Sequence, residues 1–194
     1  MKESKSLSHI KFLYGFTTLD YDTTVKKTKL LLSIYKGVCW KAAARVDDFY
    51  EQLELESKRL DVALEFLMDY SCEMNKSRFM SRISSHFKSQ WLVEVIDEAL
   101  NHVAAYPDTY AKTYKEIIKL TYLEYFKYDN EEIHEMLNLE RSTYFAKKKE
   151  AIALLGLAIW SMVIPKYVET MSRSEIKICE LEQLRKPALD TYSA

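Results

Sequence analysis

The sequence predicts an all-α protein: an N-terminal helical bundle followed by a C-terminal helix-turn-helix module. Three observations predict this. Helix breakers are scarce, with only 3 Gly and 3 Pro among 194 residues. Apolar side chains recur at three- and four-residue spacing along most of the chain, between abundant Lys and Glu. Residues 129–160 carry the start, stop and restart signals of two helices joined by a tight turn.

Composition narrows the function classes. The length suits one domain or two small ones, with room for a substantial core. Net charge is −1, so any nucleic-acid site must be a local patch. The 3 cysteines, Cys39, Cys72 and Cys179, lie far apart without metal-ligand spacing, as expected of free thiols in a reducing compartment. The N-terminus lacks the apolar run of a signal peptide. No stretch is expected to reach the roughly 20 apolar residues of a membrane span. The expectation is a cytoplasmic protein with no membrane partner.

In order, residues 1–22 carry Ile10, Phe12, Leu13, Tyr14 and Phe16, too apolar for a free tail. They are expected to pack on the helical body, with an arm swapped onto a partner subunit as the alternative. A helix is expected from Thr23 or Thr24 to about residue 53. Its apolar face holds Leu30, Leu31, Ile34, Tyr35, Val38 and Trp40, then Val46, Phe49, Tyr50 and Leu53. Gly37 interrupts it weakly and suggests a close crossing. A helix over 56–70 follows, with Leu60, Ala63, Leu64, Leu67 and Met68 on one side. Asp47, Asp48, Glu51, Glu54, Glu56, Asp61, Glu65, Asp69 and Glu73 lie off that face. No histidine accompanies these acids, so they read as a solvated surface rather than a metal or acid-base site.

Residues 77–88 place Phe79, Met80, Ile83 and Phe87 inward and Lys76, Arg78, Arg82 and Lys88 outward. This basic stripe reads first as a solvated face and second as a phosphate-contacting surface. The helix over 90–105 buries Trp91, Leu92, Val95, Ile96, Ala99, Leu100 and Val103. It ends at Tyr106, because the residue before Pro107 disfavours the α conformation. His86 and His102 stand singly and read as structural. The domain boundary is placed here, giving residues 1–106, 107–165 and 166–194. A scaffold helix over 110–126 offers Tyr114, Ile117, Ile118, Tyr122, Leu123 and Phe126 as its core side.

The tight-turn segment follows. Asp129 caps a helix, and Glu132 completes a capping box. Ile133, Met136 and Leu137 share one face. Asn138 stops the helix, being a residue that enters the left-handed region cheaply, and Leu139 plugs the corner. A second helix opens at Glu140–Ser142 and continues inward through Tyr144, Ala151, Ile152 and Leu155. Residues 153–164 are apolar all round and are expected to be buried, ending at Pro165. The tail holds a weak amphipathic helix over 174–185, with Ile176, Cys179, Leu181 and Leu184.

The run EEIHEMLNLERSTYFAKKKEAI resembles region four of bacterial sigma factors. It is also similar to phage late-gene regulators of the ArpU/RinA type, which carry this module at their C-terminal end. The resemblance covers roughly residues 110–160. His134 stands where such modules carry a small residue, and Glu140 where they carry Ser or Thr. The resemblance implies a sequence-specific, phage- or mobile-element-derived transcriptional regulator whose second helix enters a major groove.

On that reading Arg141, Ser142, Phe145 and Ala146 face base edges, with Arg suited to guanine and Phe or Ala to a thymine methyl. Thr143, Lys148 and Lys149 contact phosphates; Lys147 could join them, though its position leans inward. The partner is double-stranded DNA. One module makes few contacts, so a homodimer or an RNA polymerase contact is expected. Enzymatic motifs are missing: there is no Gly-rich phosphate loop and no G-x-S-x-G, and His134–Glu135 lacks the second histidine of H-E-x-x-H. No cofactor or metal is expected. The rival readings are an all-helical interaction protein, working through its acidic face or residues 154–164, and a DNA-packaging or replication adaptor.

Overall fold

The computed structural model describes residues 4–43, 75, 77, 78 and 89–170. Every regular element among them is helical. The expected helix over 56–70, its acidic residues, most of the basic stripe and the 174–185 helix lie outside these residues.

Helix α1 (Lys5–Tyr14) begins at Ser4, whose hydroxyl accepts the Leu7 N–H. It buries Leu7, Ile10 and Tyr14, so this segment packs on the body. Phe12 and Phe16, predicted inward, are instead 61% and 74% exposed, because they lie on the far side of the same helix and turn. A turn at Gly15–Thr17 leads to α2 (Tyr21–Ala43). This helix starts earlier than predicted because Asp20, not a threonine, is its cap: the Thr23 N–H donates to Asp20 Oδ2 at 2.8 Å. That bond holds the Asp20 carboxyl below the usual carboxylate range. Leu31, Ile34 and Tyr35 are buried as predicted, joined by Leu32, Thr24 and Thr28.

Helix α3 (Ser89–Ala104) buries Leu92, Val95, Ile96, Ala99, Leu100 and Val103 as the periodicity predicted. The bend after it is tied back to α1: Ser6 Oγ donates to Asp108 Oδ2 at 3.0 Å, and the Tyr110 N–H to Asp108 Oδ1 at 2.9 Å.

Helix α4 (Ala111–Ile118) continues into a wide π turn, Lys119–Leu123. Glu124 leaves the helical region at ψ 142°, so the scaffold helix stops short of the predicted residue 126. Phe126 is consequently 68% exposed rather than part of the core.

Helix α5 (Asn130–Met136) and helix α6 (Arg141–Ala158) form the tight-turn pair. Helix α6 runs on through a second π turn, Ile159–Val163, making one helix of 30 residues, Arg141–Thr170. Its predicted end at Pro165 is therefore a correction. Proline lacks an N–H and crowds the preceding turn, and the wider turn just before it accommodates both. The expectation that no stretch reaches the length of a membrane span fails with it. By length and composition alone this helix qualifies, although 67% of its most apolar window is buried in the fold.

Helix α6 is the centre of the packing and touches α1, α2, α3 and α4. Of residues 153–164, expected to be buried all round, 153–160, Val163 and Ile164 are buried, as are Ala151 and Ile152 before them, but Met162 is 48% exposed. A close crossing falls at Gly156. A Cβ added at Gly156 would stand 2.6 Å from Thr28 Oγ1 and 3.1 Å from the Tyr14 hydroxyl. Tyr14 donates to the Ala153 carbonyl at 2.8 Å, and the Trp160 indole N–H to Thr28 Oγ1 at 3.3 Å. One apolar cluster contains residues from both sides of the 106/107 boundary, including Val103, Tyr114 and Leu155. A smaller cluster of Ile117, Ile133 and Tyr144 lies under the turn.

Candidate nucleic-acid interface

The turn is assembled from local hydrogen bonds. Asp129 Oδ1 accepts the Glu131 and Glu132 N–H groups at 2.8 and 2.9 Å, and Glu132 Oε2 accepts the Asp129 N–H at 2.7 Å. This capping box satisfies the amides that a helix start leaves unpaired. Asn138 takes φ 51°, the only positive φ at a non-glycine residue among those described. The left-handed step lets the Asn138 and Leu139 N–H groups return to the Glu135 and His134 carbonyls. Glu140 then caps α6 by backbone geometry, without a side-chain bond.

Tyr144 pins α6 to α5. Its ring is fully buried beside Ile117 and Ile133, and its hydroxyl donates to Asn130 Oδ1 at 2.9 Å. Around this pivot Arg141, Ser142, Phe145 and Lys149 are exposed, while Thr143, Ala146 and Lys148 are half-buried. The face expected to meet DNA is thus divided. Lys148 folds back and donates to Asn130 Oδ1 at 2.8 Å and to the Tyr144 hydroxyl at 3.3 Å. Burial lowers its pKa from the ordinary lysine value. Lys147 faces inward at 8% exposure, so its suggested phosphate role is withdrawn. Its ammonium pairs with Glu150 Oε2 at 3.0 Å and sits 3.9 Å from the centre of the Tyr110 ring.

Three residues, Glu150, Asn130 and Glu131, escaped the sequence reading. Glu150, 1% exposed, accepts from Ser4, Tyr114 and Lys147. Its signal is a single acid one turn past a lysine at the edge of an apolar run. Asn130 was missed because its partners lie 14 and 18 residues away. Glu131 holds Arg141 Nη2 at 3.2 Å through Oε1. His134, the departure from a small residue noted in the sequence, has Nδ1 3.1 Å from the Leu139 carbonyl oxygen and Nε2 2.8 Å from Glu131 Oε2. Among the described residues no group of three or more His, Cys, Asp or Glu is placed to hold a metal ion.

No family model, curated protein or solved structure matches the chain.

Proposed function

We propose that this chain is a sequence-specific DNA-binding transcriptional regulator in which the first two turns of α6 enter a major groove. In this reading the α1–α3 body is an N-terminal helical bundle that carries a helix-turn-helix module built from α4, α5 and α6. The observation that carries it is the exposed stripe Arg141, Ser142, Phe145 and Lys149 on a helix start anchored from behind by Tyr144. A recognition helix needs this combination: a rigid mount and an outward face of small, basic and flat side chains. The resemblance of residues 110–160 to sigma region four and to phage regulators supports the same reading.

Arg141, Ser142 and Phe145 face base edges, with Ala146 beside them. Lys149 and Thr143 meet phosphates, and Lys148 reaches one after leaving Asn130. Contacts this few call for a homodimer or for a shoulder on RNA polymerase.

The test is fluorescence anisotropy with duplexes enriched from a random pool by the full chain. Arg141→Ala and Lys149→Ala each weaken binding, and Lys149→Ala also reduces its salt dependence. Unchanged affinity at moderate salt overturns the proposal.

A second reading, an interaction protein, draws on one observation: exposed Phe12 of α1 and Phe16 of the turn after it pack edge-to-face, 4.9 Å between ring centres. The surface first considered for that role, residues 154–164, is mostly occupied by the protein's own core. Genome-wide DNA capture separates the readings: discrete promoter-proximal sites favour the regulator, and no enrichment favours the interaction protein.

A further inference from the structure

Side chains from α5 and α6 are joined across the turn by one continuous chain of polar contacts. Glu131, on α5, sets Oε1 3.2 Å from Arg141 Nη2 and Oε2 2.8 Å from His134 Nε2. His134 sets Nδ1 3.1 Å from the carbonyl oxygen of Leu139, the turn residue that leads into α6. The carbonyl and carboxylate oxygens only accept, so the imidazole is the donor in each of these contacts. The contacts therefore run from turn carbonyl to imidazole to carboxylate to guanidinium.

We propose that Glu131, steadied by His134, is a positioning residue that determines specificity by aiming the Arg141 guanidinium at one guanine. This rests on the reading of α6 as the helix that enters the groove. The Arg141 side chain is 68% exposed and would otherwise sample many rotamers. A guanidinium is a planar fork with five donors. Engaging Nη2 with Glu131 fixes the plane of the fork and leaves other donors free to face a base edge. The same carboxylate offsets the arginine charge towards phosphates. Arg141 then adds less to sequence-independent attraction and more to base choice.

The arrangement also explains why an acid beside the groove-facing stripe is compatible with DNA. Glu131 is directed at a cation on its own surface and at the imidazole, rather than at the space a phosphate would fill.

The experiment uses the full chain and a library of duplexes with a randomised central segment. Affinities are then measured for the enriched duplex and its single-base variants. The proteins are wild type, Glu131→Gln, His134→Gln, Arg141→Ala and the Glu131→Gln/Arg141→Ala double variant. Wild type is expected to prefer guanine at one position. Glu131→Gln loses about tenfold of that preference, while binding to mixed-sequence duplex holds or rises. His134→Gln, which loosens Glu131 without touching Arg141, lowers the same preference. In the Arg141→Ala background Glu131→Gln changes nothing further at that base. A purely structural role would not produce this base-specific dependence on Arg141. Full guanine preference in Glu131→Gln, or an equal loss with and without Arg141, overturns the inference. Failure of wild type to enrich any sequence overturns the underlying DNA reading instead, and wild type alone decides that.

Discussion

Ser4 and Glu150, 146 residues apart in the chain, are joined by a hydrogen bond in which the serine hydroxyl donates to Glu150 Oε1. The same serine oxygen accepts the Leu7 N–H and so caps α1. Glu150 Oε2 accepts from the Tyr114 hydroxyl at 2.7 Å and from the Lys147 ammonium at 3.0 Å. Burial and the carboxylate beside it push the Tyr114 hydroxyl far above its ordinary pKa, so it remains a donor. A single carboxylate thus ties α1, α4 and α6 together beneath the helix that presents the candidate interface.

Breaking one partner of that network is more damaging than removing both. Lys147→Met alone leaves a buried carboxylate without its cation, and Glu150→Leu alone leaves a buried ammonium. Each is expected to lower the unfolding free energy by about 3–5 kcal/mol. The double variant loses less than the sum of the singles. Chemical denaturation of the three variants checks this, and strict additivity contradicts it.

Gly156 is a second sensitive point. Alanine there sets a methyl 2.6 Å from Thr28 Oγ1, so Thr28 must give up its position or α2 and α6 must separate. Overpacking of this kind costs about 1–3 kcal/mol. Adding Thr28→Ala relieves the contact, and the double variant loses less than the two singles combined. Thermal unfolding measures both.

The turn has its own test at Asn138. Its φ of 51° penalises any bulky side chain. Asn138→Gly is expected to be neutral or nearly so. Asn138→Val costs about 1–2 kcal/mol and, on the proposed reading, weakens DNA binding by misaiming α6. Equal stability of the two variants would contradict the assigned turn.

Lys148 supplies the pH dependence. Burial lowers its folded pKa below the ordinary 10.5, so between the folded and unfolded values the folded chain binds fewer protons. Its contribution to stability therefore rises as pH climbs through that window. On the proposed reading, its contribution to DNA binding runs the opposite way, fading as the charge is lost. The affinity gap between wild type and Lys148→Met should begin to narrow at a lower pH than an ordinary lysine's 10.5 would set. A gap unchanged up to that pH contradicts the buried placement.

The features legible in sequence were those written in neighbouring residues. Asp129, Glu132 and Asn138 announce the cap and the turn because their partners lie within a few positions. Helix α3 was equally legible, since a wide apolar stripe has one way to face a core. Tertiary contacts decided the rest. Glu150 looks like a surface acid until Ser4 and Tyr114 arrive from distant segments. Lys148 reads as an outward-pointing lysine until Asn130, 18 residues away, draws its ammonium back. Pro165 reads as a helix end, and only the π turn before it lets the helix continue. Glu131 carried a local signal, an acid in the first turn, but its hold on Arg141 depends on how sharply the chain turns at Asn138.

The most direct test of a groove-entering α6 is site-specific photocrosslinking. A benzophenone side chain replaces Phe145, or as a control Met162, which is also solvent-exposed but lies far along the same helix. With an enriched duplex bound, the probe at position 145 is expected to crosslink to bases from the major-groove side, and the probe at position 162 to give none. Duplex bound without crosslinks from position 145, or crosslinks of equal yield from both positions, contradicts the account.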